Sequence, residues 1–205
     1  MTEAGRAADW KAKADTPEYA AIRRRVAAAA DEIVREQGIG ALRLDSVADR
    51  AGLHRSSIYR YFDSKEELVT AVAVRASLRL GRRVIDRLGD DAPPERFFVE
   101  GLVIALSELA EDPVLRSLMA PTSSEAMARV GGRALTEGIR PLVEPVFADA
   151  ERLGILRPGV APDDALRWLQ IVAVGLLRAP GIPAERDDLA ALLEQMLVPA
   201  LFARP

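Results

Sequence analysis

An all-α fold of about nine helices is predicted for this chain of 205 residues, with a small N-terminal helix-turn-helix unit leading a larger helical body. Three observations predict it. Apolar residues recur at spacings of three and four along most of the sequence, the period of one helix face. Between residues 44 and 62 two short helical segments meet at a glycine-containing turn, the spacing of a helix-turn-helix. No stretch shows convincing strand alternation, and no repeat of fixed period is found.

The elements follow in order. Residues 1–16 are polar, Ala-rich and without periodicity; they are expected to be a mobile arm, and Trp10 within it is not expected to form a site. Thr16 precedes Pro17 and can cap a helix that has proline at its first position. Ile22, Val26, Ala29, Ala30, Ile33 and Val34 then make one apolar face, and Gly38 and Gly40 end it. Leu44, Val47, Ala48 and Ala51 follow i, i+3, i+4, i+7, and Gly52 stops this short helix. In HRSSIYRYFDSKEEL, residues 54–68, a helical wheel sets Ile58 and Phe62 together toward the core. Ser56, Ser57 and Arg60 fall opposite, with Tyr59 and Tyr61 on the edges. Ser64 with Glu67 matches a capping box at the start of the next, long helix.

Beyond residue 90 the pattern stays helical. Phe97, Phe98, Leu102, Ala105, Leu106 and Leu109 form a stripe. DPVLRSLMAPTSS reads as two short helical pieces. One longer helix is expected over 133–153, kinked by Pro141 and Pro145. LGILRPGVAPDD is a connector, and two strongly apolar helices are expected over 163–178 and 185–203.

Composition excludes several function classes. With no cysteine, disulfides, thiolate zinc sites, iron–sulfur clusters and thiol nucleophiles are ruled out. One histidine cannot build a multi-histidine metal site. There is no P-loop and no GxGxxG, and no cofactor is implied. A Ser-His-Asp triad would have to use His54, which lies on the helix-turn-helix. No apolar run reaches the roughly 18 residues of a membrane span, and the N-terminus lacks the apolar core of a signal peptide; a cytoplasmic protein is expected. The net charge is −3, yet residues 20–65 hold nine Lys and Arg against six Asp and Glu. That local surplus of +3 leaves −6 on the rest and permits nucleic-acid contact. Hydroxyls and guanidinium groups in the first turn of a helix match phosphate oxygens and base edges. Periodicity alone slightly favours a plain solvated amphipathic helix.

The order of residues narrows this. LRLDSVADRAGLHRSSIYRYFDSKEELVTAV resembles the DNA-binding domain of TetR-family bacterial transcriptional regulators over about residues 18–75. Ala51-Gly52, the apolar Leu53, the cap, the short polar group, Ile58, Tyr59, the aromatic-Phe end and Ser64-Lys65-Glu66-Glu67-Leu68 match that pattern together. The resemblance implies a DNA-binding domain over 17–63 and a ligand-binding and dimerisation domain over 64–205. It implies base and phosphate contacts in the first turn of the recognition helix at Arg55, Ser56 and Ser57. Tyr59 matches a phosphate-gripping tyrosine, Arg60 and Tyr61 match variable positions near base edges and backbone, and Lys65 matches a phosphate contact. Two positions depart from the family. His54 stands where serine is common; it is a poorer cap, but its ring can donate to phosphate. Arg43 stands where threonine is common, removing a cap and adding a phosphate-seeking charge.

Members of this family carry a small, often apolar effector in the second domain. The candidates are Phe97, Phe98, Leu102, Met119, Met127, Phe147 and Trp168, against the alternative that each simply fills the core. The two last helices are apolar nearly all round and need burial on two sides. The resemblance puts a two-fold partner against them, giving a homodimer. Leu166, Leu169, Val172, Gly175 and Leu176 on one helix, and Leu189, Leu193 and Met196 on the other, are the interface candidates. The expected partners are a two-fold-related double-stranded DNA operator, an unknown effector and a second copy, but no membrane. The expected action is repression relieved or tuned by the ligand. A helical ligand- or partner-binding module without DNA binding is the alternative.

Overall fold

The computed structural model describes residues 16–89, 92–119, 125–178 and 185–203, with side chains except at 119, 125–131, 135, 177 and 178. The expected N-terminal arm, apart from Thr16, lies outside the described residues, as do the side chains of Met119 and Met127. Among the described residues every regular element is helical.

Helix α1 (Pro17–Gln37) starts as its cap predicts: Thr16 is extended and its Oγ1 accepts the Tyr19 N–H at 3.2 Å. Its face of Val26, Ala29, Ala30, Ile33 and Val34 is buried. A single 3-10 turn (Ile39–Ala41) leads to α2 (Leu44–Arg50). Gly52, at φ +65°, then turns the chain through a left-handed conformation that side chains disfavour. Helix α3 has only four residues (Arg55–Ile58). Ser64 caps α4 (Lys65–Leu88), accepting the Glu67 N–H at 3.1 Å. The other half of the expected capping box is altered. Glu67 Oε2 accepts from Asp63 N–H at 2.7 Å, because its second oxygen is held at 2.5 Å by Arg23 of α1.

Helices α5 (Pro94–Glu111) and α6 (Pro113–Met119) meet at Asp112. Helix α7 (Glu125–Arg152) begins eight residues before the expected start at 133 and runs through Pro141 and Pro145. Helix α8 spans Pro162–Arg178. The expected last helix is two, α9 (Arg186–Met196) and α10 (Val198–Leu201). Pro199 explains the break, since it has no N–H to give to the carbonyl of Gln195. The chain end pairs with the α7–α8 connector: Arg157 N–H donates to Leu201 O at 2.9 Å and Ala203 N–H to Ile155 O at 2.8 Å.

Two cores result. One unites α1, α2, α3, the first half of α4 and α6. The other joins Phe98, Phe147, Leu166, Leu193 and Leu201 from α5, α7, α8, α9 and α10. Helix α4 belongs to both halves and packs most extensively on α7. At their crossing Gly138 faces Ser77, and a Cβ on Gly138 would overlap the Ser77 Cβ and come 3.2 Å from the Val74 carbonyl. No described helix is long and apolar enough to cross a membrane.

Candidate nucleic-acid interface and ligand cavity

The recognition turn is built outward from Ile58 and Phe62, both 0% exposed. Arg23 braces it from α1. Its Nη1 donates to the Tyr61 carbonyl at 2.6 Å and its guanidinium carbon lies 4.4 Å from the Phe62 ring centre. Burial works against the Arg23 charge, but the Glu67 carboxylate and, to a lesser degree, Tyr19 together outweigh it and hold the guanidinium above its ordinary pKa.

On the open side Arg43, His54, Arg55, Ser56, Tyr59, Arg60 and Lys65 are exposed, and Ser57 is half-buried. His54 caps α3 after all. Its Nδ1 accepts the Ser56 N–H at 3.3 Å and lies 2.8 Å from Ser56 Oγ. A ring that accepts at Nδ1 carries its hydrogen on Nε2, so a donor remains. Arg55 is tied at 2.7 Å to Asp45 of α2. Both side chains are exposed, and such a pair contributes about 0–1 kcal/mol, so it yields readily to phosphate. Among the described residues Arg43, Arg60 and Lys65 form no ion pair.

Tyr61 is placed differently from the wheel. After Ile58 the turn tightens, with Arg60 N–H bonded to Ser57 O at 3.1 Å and Tyr61 N–H to Ile58 O at 2.9 Å. Three-residue closure rotates Tyr61 away from the edge of an ideal α-helix. It stacks instead on Tyr19 of α1, ring centres 5.0 Å apart.

A cavity of about 110 Å³ lies between α4, α5, α7 and α8. Phe97, Phe98 and Leu102 line it; Phe147 sits behind, its ring centre 4.8 Å from that of Phe98. Trp168 does not reach it and is 45% exposed on the outer side of α8. The wheel could not tell which side of that helix meets the subunit's own core. The same ambiguity explains the interface candidates. Leu166 and Leu193 are buried in the second core and Leu169 lines the cavity. Val172, Leu176 and Leu189 are half-buried against that core. Gly175 and Met196 are exposed, as are Trp168 and Ile171 on α8 and Leu192 on α9. Sequence reasoning missed the polar lining residues, Thr136 and Gln170.

It also missed a charged joint between the two halves. Arg79 holds Asp31 of α1 through both oxygens, at 2.8 and 3.0 Å, and Asp112 at 3.4 Å. One turn on, Arg83 lies 3.5 Å from Asp112 and 2.7 Å from Glu108; Arg87 reaches Glu108 at 2.5 Å. The other oxygen of Asp112 caps α6, accepting from Val114 and Leu115 N–H at 3.0 and 3.2 Å. Arginines at i, i+4 and i+8 of α4, and an aspartate inside the apolar face of α1, were the available signals.

Residues 26–72 match the family model for bacterial regulatory proteins of the tetR family. The match spans α2, the Gly52 turn, the recognition turn and the capped start of α4. That segment is similar to the DNA-binding domain of the tetR family of bacterial regulatory proteins. The comparisons support a DNA-binding transcriptional regulator, the kind of protein its relatives are. It is 28% identical over 175 residues to an uncharacterized HTH-type transcriptional regulator of Mycobacterium tuberculosis, covering 85% of this chain and 83% of that one. RolR in complex with resorcinol shares this TetR fold with a TM-score of 0.67 at 17% identity, over 90% of this chain and 89% of RolR. SmeT, the repressor of the Stenotrophomonas maltophilia multidrug efflux pump SmeDEF, matches with a TM-score of 0.51 and 26% identity, over 88% and 90% of the two chains.

Proposed function

We propose that this regulator binds a two-fold-related operator as a homodimer, as a repressor, and is released or tuned by a small neutral ligand in the α4–α5–α7–α8 cavity. The observation that carries the DNA reading is the recognition turn: Ile58 and Phe62 fully buried, with His54, Arg55, Ser56, Tyr59 and Arg60 exposed opposite. Phosphate contacts supply most of the affinity and the first-turn side chains choose bases. The Arg43 and Lys65 side chains suit phosphate. Tyr61, packed on Tyr19, suits a supporting role behind them. The domain division at 63/64 belongs to the same reading, with α4 passing from one unit into the other.

Exposed apolar residues on α8 and α9 support the dimer, because Ile171 and Met196 would gain burial from a second copy. The cavity supports a neutral ligand, because no charged side chain among the described residues lines it. RolR, which has the same fold, is bound to resorcinol; a one-ring effector is consistent with that.

The test is binding to DNA flanking the chain's own gene, measured by fluorescence anisotropy across a salt series. Arg60→Ala is expected to cost about 1–3 kcal/mol and to relax the choice at one base pair. Lys65→Ala is expected to weaken all sequences alike and reduce the salt slope by about one. Binding that ignores both salt and these substitutions would favour a partner-binding module without DNA recognition.

A further inference from the structure

We infer that the effector site continues past Phe97 and Leu142 into a second pocket, and that its ligand is one ring carrying a short unbranched alkyl tail. The inference rests on reading the cavity as the effector site. An apolar cavity of roughly 150 Å³ takes up benzene, so the inner cavity, at about 110 Å³, is full with one ring. A pocket of about 250 Å³ adjoins it, lined by Ile85, Ala92, Pro94, Pro145, Val146 and Asp149 among others. Phe97 and Leu142 line both spaces.

The two run end to end. Along α4 the inner lining stops at Val84 and the outer begins at Ile85; on α5 they meet at Phe97 and on α7 at Leu142. Leu142 reaches across to α4, its Cδ1 in the space that a Cβ on Gly81 would fill. Phe97 and Leu142 are half-buried, whereas Phe98, Val143 and Leu169 of the inner lining are buried. These two side chains are the partition, and each can change rotamer without moving a helix. Size favours joining the spaces. Ligand sites run from roughly 300 Å³ upward; neither pocket reaches that alone, and together they do. Chemistry selects the tail. Apart from Asp149, the described residues of the outer pocket are apolar or glycine. Methylenes gain from burial there. A carboxylate end would lose water against an apolar wall and meet Asp149, a like charge.

Calorimetric titration of the full chain with toluene, n-butylbenzene and 4-phenylbutyrate tests this. n-Butylbenzene is expected to bind about tenfold or more tighter than toluene, because each buried methylene adds several-fold. 4-Phenylbutyrate should bind no tighter than toluene. Ala92→Phe and Val146→Phe each put a ring into the outer pocket, and should bring n-butylbenzene down to the level of toluene while leaving toluene unchanged. Ala92 lies outside the helices, so its variant keeps the fold even if Val146→Phe does not. Leu142→Ala thins the partition and should widen the gap between the two hydrocarbons. Leu169→Ala, which enlarges the inner cavity alone, should shift both alike. Equal affinity for toluene and n-butylbenzene in the wild-type chain overturns the extension but leaves the cavity as the effector site. So does a preference for n-butylbenzene that survives both pocket-filling variants. 4-Phenylbutyrate binding as tightly as n-butylbenzene overturns the alkyl tail. Failure of all three molecules to bind overturns the effector site and the extension with it.

Discussion

Arg79→Ala is expected to lower the unfolding free energy by about 3–5 kcal/mol, the cost of leaving a buried charge without its partner. Asp31 is 5% exposed and Asp112 4% exposed. Asp31 takes both its ion-pair contacts from Arg79, at 2.8 and 3.0 Å, so it loses everything. Asp112 keeps Arg83 and its cap of α6, so its share of the loss is smaller. Urea unfolding followed by helicity measures the effect. Arg79→Met combined with Asp31→Leu should recover most of it, because an apolar pair of similar volume removes the stranded charge. A loss under about 1 kcal/mol in Arg79→Ala would mean that water reaches Asp31 easily, and the charged joint would then matter little. The damage is expected where the recognition unit meets the cavity-bearing half, since Asp31 sits on α1 and Asp112 between α5 and α6.

The second large effect is expected from Ile171→Lys. Ile171 is 63% exposed, one turn along α8 from Trp168 and on the side away from Leu166 and Leu169. A two-fold interface uses the same patch on both subunits, so one substitution buries two charges. The dimer should dissociate to monomers in light scattering at micromolar concentration. Operator affinity should fall by about 10²–10⁴-fold, the gain that two linked half-sites provide. The subunit's own fold should change by no more than about 0.5 kcal/mol, as for other surface substitutions. Leu166→Ala, 1% exposed in the core, should instead cost about 2–5 kcal/mol of subunit stability. An Ile171→Lys protein that still scatters as the wild-type dimer would move the interface elsewhere.

The parts of the molecule legible in the sequence are those governed by near neighbours. Thr16 before Pro17, Gly52 after Ala51 and Ser64 before Lys-Glu-Glu act within one turn, and each does locally what its chemistry requires. Ile58 and Phe62 could be assigned to the core because four residues return a helix to the same face. Contacts across long separations were not legible. Tyr61 meets Tyr19 across 42 positions, and Arg79 meets Asp31 across 48. Nothing within either helix names the partner. Trp168 and Leu166 looked alike for a related reason: an all-apolar helix carries no mark of which side its own subunit covers. Thr136 and Gln170 escaped notice because each is an ordinary polar residue until α7 and α8 bring them to 2.8 Å.

The crossing of α4 and α7 bears on how this chain can change by descent. At Gly138 even a methyl group would collide with Ser77 and crowd the Val74 backbone. A side chain could enter only if position 77 shrank to glycine in the same lineage, and the Val74 carbonyl would still resist. Positions 77 and 138 are therefore epistatic, and single-step paths away from glycine at 138 are closed. A saturation library scored for operator binding should show column 138 empty, and the adjoining, exposed column 137 populated.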